Sequence, residues 1–66
     1  MYHLTAYDHD ASLLLKASFE HEDCAFTMAR KMLEVLGIDN IGYCFLSIDG
    51  TIWLTRYELV SLYKPA

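Results

Sequence analysis

Residues 41–54 read IGYCFLSIDGTIWL, and this stretch decides the fold. Asp49-Gly50 is the strongest short hairpin signal in the chain, because a two-residue turn matching the twist of its strands needs left-handed backbone. On either side lie apolar, β-branched and aromatic runs, Ile41 to Ile48 and Thr51 to Leu54, which read as two antiparallel strands. A two-residue loop pairs Ile48 with Thr51. Counting back from that pair places Leu46 opposite Trp53 and Phe45 opposite Leu54. One face of the hairpin then carries Cys44, Leu46, Ile48 and Trp53; the other carries Tyr43, Phe45, Ile52 and Leu54. Both faces are apolar, so periodicity does not choose the core side.

Upstream, Asp39-Asn40 supply a turn, and before it the pattern changes to a helical one. Cys24, Ala25, Met28, Ala29, Met32, Leu33 and Leu36 recur at helical spacings, while Thr27, Arg30, Lys31 and Glu34 fill the opposite side. Glu20, Glu22 and Asp23 stand where the positive end of a helix dipole favours negative charge, and Gly37 provides a stop. The spacing predicts a helix from about Glu22 to Leu36. Phe26 and Val35 widen its apolar sector to roughly 200° at 100° per residue, against the little over 100° that a one-sided surface helix needs.

The start of the chain reads as a second hairpin. Tyr2 to Tyr7 is a strand, Asp8-His9-Asp10-Ala11 a polar turn, and from Leu13 the pattern alternates, with Leu13, Leu15, Ala17 and Phe19 on one face. Gly42 falls inside a strand pattern. At the other end, two readings of the tail compete. Thr55-Arg56-Tyr57-Glu58 matches a capping box, with Leu59, Leu62 and Tyr63 as a short apolar stripe before Pro65. The alternative extends the last strand through Leu59. The capping box favours the helix. The layout is therefore ββαββ: one α+β domain over residues 1–66, an antiparallel sheet with a central helix packed on it and a short C-terminal helix.

Composition narrows the function classes. At 66 residues the chain supports one domain with a marginal core. Domains this small obtain only about 3–5 kcal/mol from their core and usually add a disulfide, a metal or a partner subunit. Yet 55% of the residues are hydrophobic, which excludes disorder and leaves more apolar surface than so small a domain hides alone. No apolar run approaches the length of a membrane span, and no basic segment followed by an apolar stretch opens these residues, so a signal peptide is not expected. Two cysteines, Cys24 and Cys44, are fewer than a secreted scaffold carries, so the expected compartment is the cytoplasm, with both thiols free. The net charge is −4, and Lys16, Arg30, Lys31, Arg56 and Lys64 are scattered, which speaks against direct nucleic-acid binding.

No residue set carries recognisable chemistry. His21 and Cys24 have ligand-like spacing, but with Cys44 they fall short of the four donors that a structural zinc site takes. The two cysteines read as small core hydrophobes and the histidines as surface residues. Cys24 lies near a helix N-terminus, yet its neighbours are acidic and no base and orienting group can be assigned to it. The chain reads as non-catalytic and without a cofactor. The acidic group Asp8, Asp10, Glu20, Glu22 and Asp23 serves turns and the helix end, or else forms a patch steering a basic partner. Trp53, Tyr57 and Tyr63 are its anchors where exposed. Phe26, Tyr43, Phe45 and Leu54 are the residues expected to join two copies in a homodimer.

The expectation is thus a non-catalytic protein-interaction module that self-associates and docks on a partner protein. In size, acidity and layout the chain is similar to several small phage-encoded inhibitor proteins, including some anti-CRISPR proteins. That resemblance is one of architecture alone, and it implies an inhibitor acting by occupying a partner's surface. The alternative is a small-ligand or metal-binding domain using His9, His21, Asp8 and Asp10.

Overall fold

The computed structural model describes residues 1–63; Lys64 and Pro65, which enter the charge and tail readings above, lie outside them. Strands β1 (Tyr2–Tyr7) and β2 (Leu13–Phe19) lead into helix α1 (Glu22–Leu36), then a short 3-10 turn (Ile38–Asn40), strands β3 (Tyr43–Ile48) and β4 (Thr51–Thr55), and helix α2 (Arg56–Tyr63). All neighbouring strands pair antiparallel, in the order β2-β1-β3-β4. The α+β layout is the expected one, and α2 resolves the tail in favour of the helix. Among the described residues, no helix is long and apolar enough to cross a membrane.

The Asp49-Gly50 turn has positive φ at both positions, 50° and 88°, as a tight two-residue hairpin requires. Ile48 pairs with Thr51 as counted, and Ser47 with Ile52. There the expected register ends. Leu46 faces Leu54, not Trp53, and Phe45 faces Thr55, because Trp53 is the extra residue of a β-bulge. The bulge turns Leu54 away from the face of Tyr43 and Phe45, and it packs half-buried against the core instead. A second bulge lies in the first hairpin, where Tyr7 pairs with Leu13 and Ala6 with Leu15, leaving Leu14 over. Leu13 therefore drops out of the core-facing set, and Leu14 joins Leu15 beside Met28 and Met32 of α1. Both bulges fall on the edge strands, β2 and β4.

One face of the sheet meets both helices. Leu4 and Ala6 of β1, Cys44 and Leu46 of β3, Ala25, Ala29, Met32 and Leu33 of α1, Ile41, and Leu59 of α2 form one buried cluster. Leu4, Leu33, Ile41, Leu46 and Cys44 are its largest fully buried members. The side facing α1 is thus the Cys44/Leu46/Ile48 face of the second hairpin. The helix buries a narrower stripe than its composition offers: Val35 is 71% exposed, and Cys24, expected in the core, is exposed as well. A helix laid on a sheet is covered only along the line of contact, and Cys24 lies a full 100° round from Ala25. Burial pushes the Cys44 thiol up, and the charge of Arg56 only partly opposes this. A thiol reagent should accordingly label one cysteine per native chain and two once the chain is unfolded. Labelling of both under native conditions would place Cys44 at the surface.

Three polar devices close the remaining backbone. Asp8 Oδ1 accepts hydrogen bonds from the N–H groups of Asp10 and Ser12 at 2.9 and 2.8 Å, shaping the β1–β2 loop. Arg56 reaches back to donate to the carbonyls of Ile41 and Ile38 at 3.2 and 3.1 Å, pinning the chain between α1 and β3. At the start of α2, Glu58 accepts hydrogen bonds from the Thr55 hydroxyl and, at 3.4 Å, from the Thr55 N–H. These bonds hold the Glu58 carboxyl below the ordinary glutamate range, the hydroxyl being the larger cause. A carboxyl depressed in the folded state stabilises fully above its unfolded pKa and loses that contribution as pH falls through the folded one. A carbon-detected titration should find Glu58 below the ordinary glutamate range. Glu58→Gln should flatten the acid limb of the melting temperature relative to the parent, and an unchanged limb would contradict this.

Candidate interaction surfaces

The sheet face turned away from the helices is laid out by register. Side chains alternate along each strand, so three cross-strand rows share that face. The first is Leu13, Tyr7 and Tyr43; the second Lys16, Thr5, Phe45 and Thr55; the third Ser18, His3, Ser47 and Ile52. Leu13, Tyr43 and Ile52 are 55%, 42% and 52% exposed. The rings of Tyr43 and Phe45 lie tilted against one another with centroids 5.5 Å apart. Thr5 and Ser47 are buried beneath their larger neighbours, and His3 Nδ1 and Ser18 Oγ are hydrogen-bonded at 2.8 Å. Of the expected self-association residues, Tyr43 and Phe45 stand here, whereas Phe26 and Leu54 stand on the helix side. Tyr7, Leu13 and Ile52 complete the patch without having been singled out. Leu13 acquires its place from the bulge at Leu14, whereas Ile52 keeps the face that alternation gives it.

Charge is distributed unevenly. None of the nine Asp and Glu residues lies in a strand; all sit in turns, helices or the segments that join them. Among the described residues, Lys16 is the one permanently charged side chain on the open face. The acidic residues singled out above are divided: Asp8 and Asp10 sit at one end of β2, and Glu20, Glu22 and Asp23 follow its other end. Seven residues of strand separate the two groups by about 20 Å. Asp8, moreover, is committed to its own loop.

A second apolar feature is the groove between α1 and α2, lined by Phe26, Ala29, Leu59, Leu62 and Tyr63 with Arg30 at its side. Trp53, on the helix side where alternation places it, packs edge-on against Phe26 at 5.4 Å and tilted against Tyr2 at 6.0 Å. Of the three aromatic anchors, Tyr57 is 82% exposed on α2, Trp53 is 36% exposed, and Tyr63 is half-buried in the groove. The histidine and aspartate donors do not meet. His9 Nε2 donates to the Asp39 carbonyl at 2.7 Å near Asp8 and Asp10, while His21 precedes α1 at the far end of β2. Among the described residues, no group of three or more His, Cys, Asp or Glu side chains is arranged to hold a metal ion.

Comparison of the chain with protein families, with curated proteins and with solved structures finds no match. The class of the protein therefore rests on its own fold: a two-layer α+β domain with helices on one side of a four-stranded sheet and an aromatic face on the other.

Proposed function

We propose that this chain is a non-catalytic protein-interaction domain and that the open sheet face is its docking surface. The observation that supports this reading is the row arrangement itself: Leu13, Tyr7, Tyr43, Phe45 and Ile52 stand together on a face with no helix over it and no carboxylate in it. A helix-covered sheet normally turns polar residues outward on its free side. Tyrosine and other aromatic side chains are the ones that concentrate binding energy at interfaces. The acidic groups sit beyond the two ends of β2, outside these rows. Inhibition by occupying a partner's surface is one form such docking takes.

The test is a photo-cross-linking amino acid placed at position 52, in the cells that make the protein, with position 35 on the exposed side of α1 as control. Adducts at 52 and none at 35 are expected. Equal labelling at the two positions, or none at 52, contradicts the assignment.

A further inference from the structure

We infer that the occupant of the open sheet face is the same face of a second copy of this chain, related by a two-fold axis; this rests on the docking reading above. Charge argues for it first. Two molecules of net charge −4 repel each other, and the surface on which they approach at least electrostatic cost is one without carboxylates. The open face is that surface, since every Asp and Glu lies outside the strands.

Two other routes to self-association are disfavoured. Strand addition at an edge needs a straight row of free backbone groups, and both edge strands carry a bulge, at Leu14 and at Trp53. On the helix side, Phe26 is engaged by Trp53, and Arg30 places a charge beside the groove. Area is adequate. Four strands about 4.8 Å apart and three rows of side chains make a face of roughly 400 Å² in projection, more when the rings are followed. Two such faces together bury on the order of 1,000 Å², the lower bound for a specific interface. Two-fold pairing is self-complementary, so the aromatic rows of one copy meet those of the other. Single-stranded nucleic acid also stacks on aromatic sheet faces, but it requires a run of cations along the backbone, and Lys16 stands alone here.

Sedimentation equilibrium over a concentration series decides the matter, with Ile52→Lys, Tyr43→Lys and the control Val35→Lys checked for native circular dichroism. The parent and Val35→Lys should form dimers of twice the 7.6 kDa chain. Ile52→Lys should dissociate about a hundredfold more readily, because a lysine ammonium in place of an apolar contact must be desolvated at the interface without a partner. A parent that stays monomeric, or a dimer untouched by the lysines at 43 and 52, overturns the inference. A monomer that still cross-links from position 52 to another protein overturns the second-copy assignment and leaves the docking face standing. Adducts removed by nuclease overturn both.

Discussion

Gly42→Ala is expected to remove much of the stability of the chain. An ideal Cβ on Gly42 would lie 2.5 Å from the Asp8 carbonyl oxygen, 2.7 Å from its carbon and 2.9 Å from His9 Cα. All three are backbone atoms of the β1–β2 loop, which neither rotates away nor moves freely. Gly42 N–H donates to Tyr7 O at 2.9 Å, and the Asp8 carboxylate fixes the loop beyond it. Overpacking a well-ordered site costs about 1–3 kcal/mol and occasionally more, and a domain this small holds only about 3–5 kcal/mol in its core. Gly50→Ala is the informative contrast. Its Cβ would meet nothing, so its cost is that of a left-handed alanine at φ 88°, about 1–2 kcal/mol. Urea unfolding followed by the fluorescence of Trp53, the single tryptophan, measures both. A Gly42→Ala loss smaller than that of Gly50→Ala would contradict the packing described.

Leu46→Ala is expected to be the most damaging truncation in the sheet. Leu46 is fully buried in the row Ala17, Leu4, Leu46, Leu54, which runs across all four strands beneath the helices. Removing a buried leucine side chain costs about 2–5 kcal/mol, set by how far the site collapses. The helix above is positioned by several other buried residues, so collapse is limited. Pairing of two copies through the open face, as inferred above, adds a second expectation: the unfolding midpoint of the variant should rise with protein concentration by mass action. A loss below about 1 kcal/mol falls outside the range for a closed core site and would contradict this placement.

Much of this architecture is legible in the residues. Asp49-Gly50, the acidic first turn before Cys24 and the Thr55/Glu58 capping box each act within a few residues, and each element stands where its local chemistry places it. What escapes is non-local or one residue wide. A bulge has no compositional mark, yet each one reverses the phase of its strand. That is why Leu54 turns inward, Leu13 turns outward and Leu46 loses Trp53 as its partner. Gly42 reads as an ordinary glycine in a strand pattern until the Asp8 loop is seen lying on it. Cys24 and Val35 look apolar enough for a core that reaches only one side of α1. Of the surface patch, Tyr43 and Phe45 follow from alternation alone; Tyr7 joins them only through the β1–β3 pairing.

The central claim is that two copies of this chain meet through the open sheet face, and the amide resonances of the isotopically labelled chain, recorded from dilute to concentrated solution, test it most directly. Concentration-dependent shifts confined to the rows of Tyr7, Tyr43, Phe45, Ser47 and Ile52 are the predicted result; shifts centred on Phe26, Leu62 and Tyr63, or no shifts at all, would contradict it.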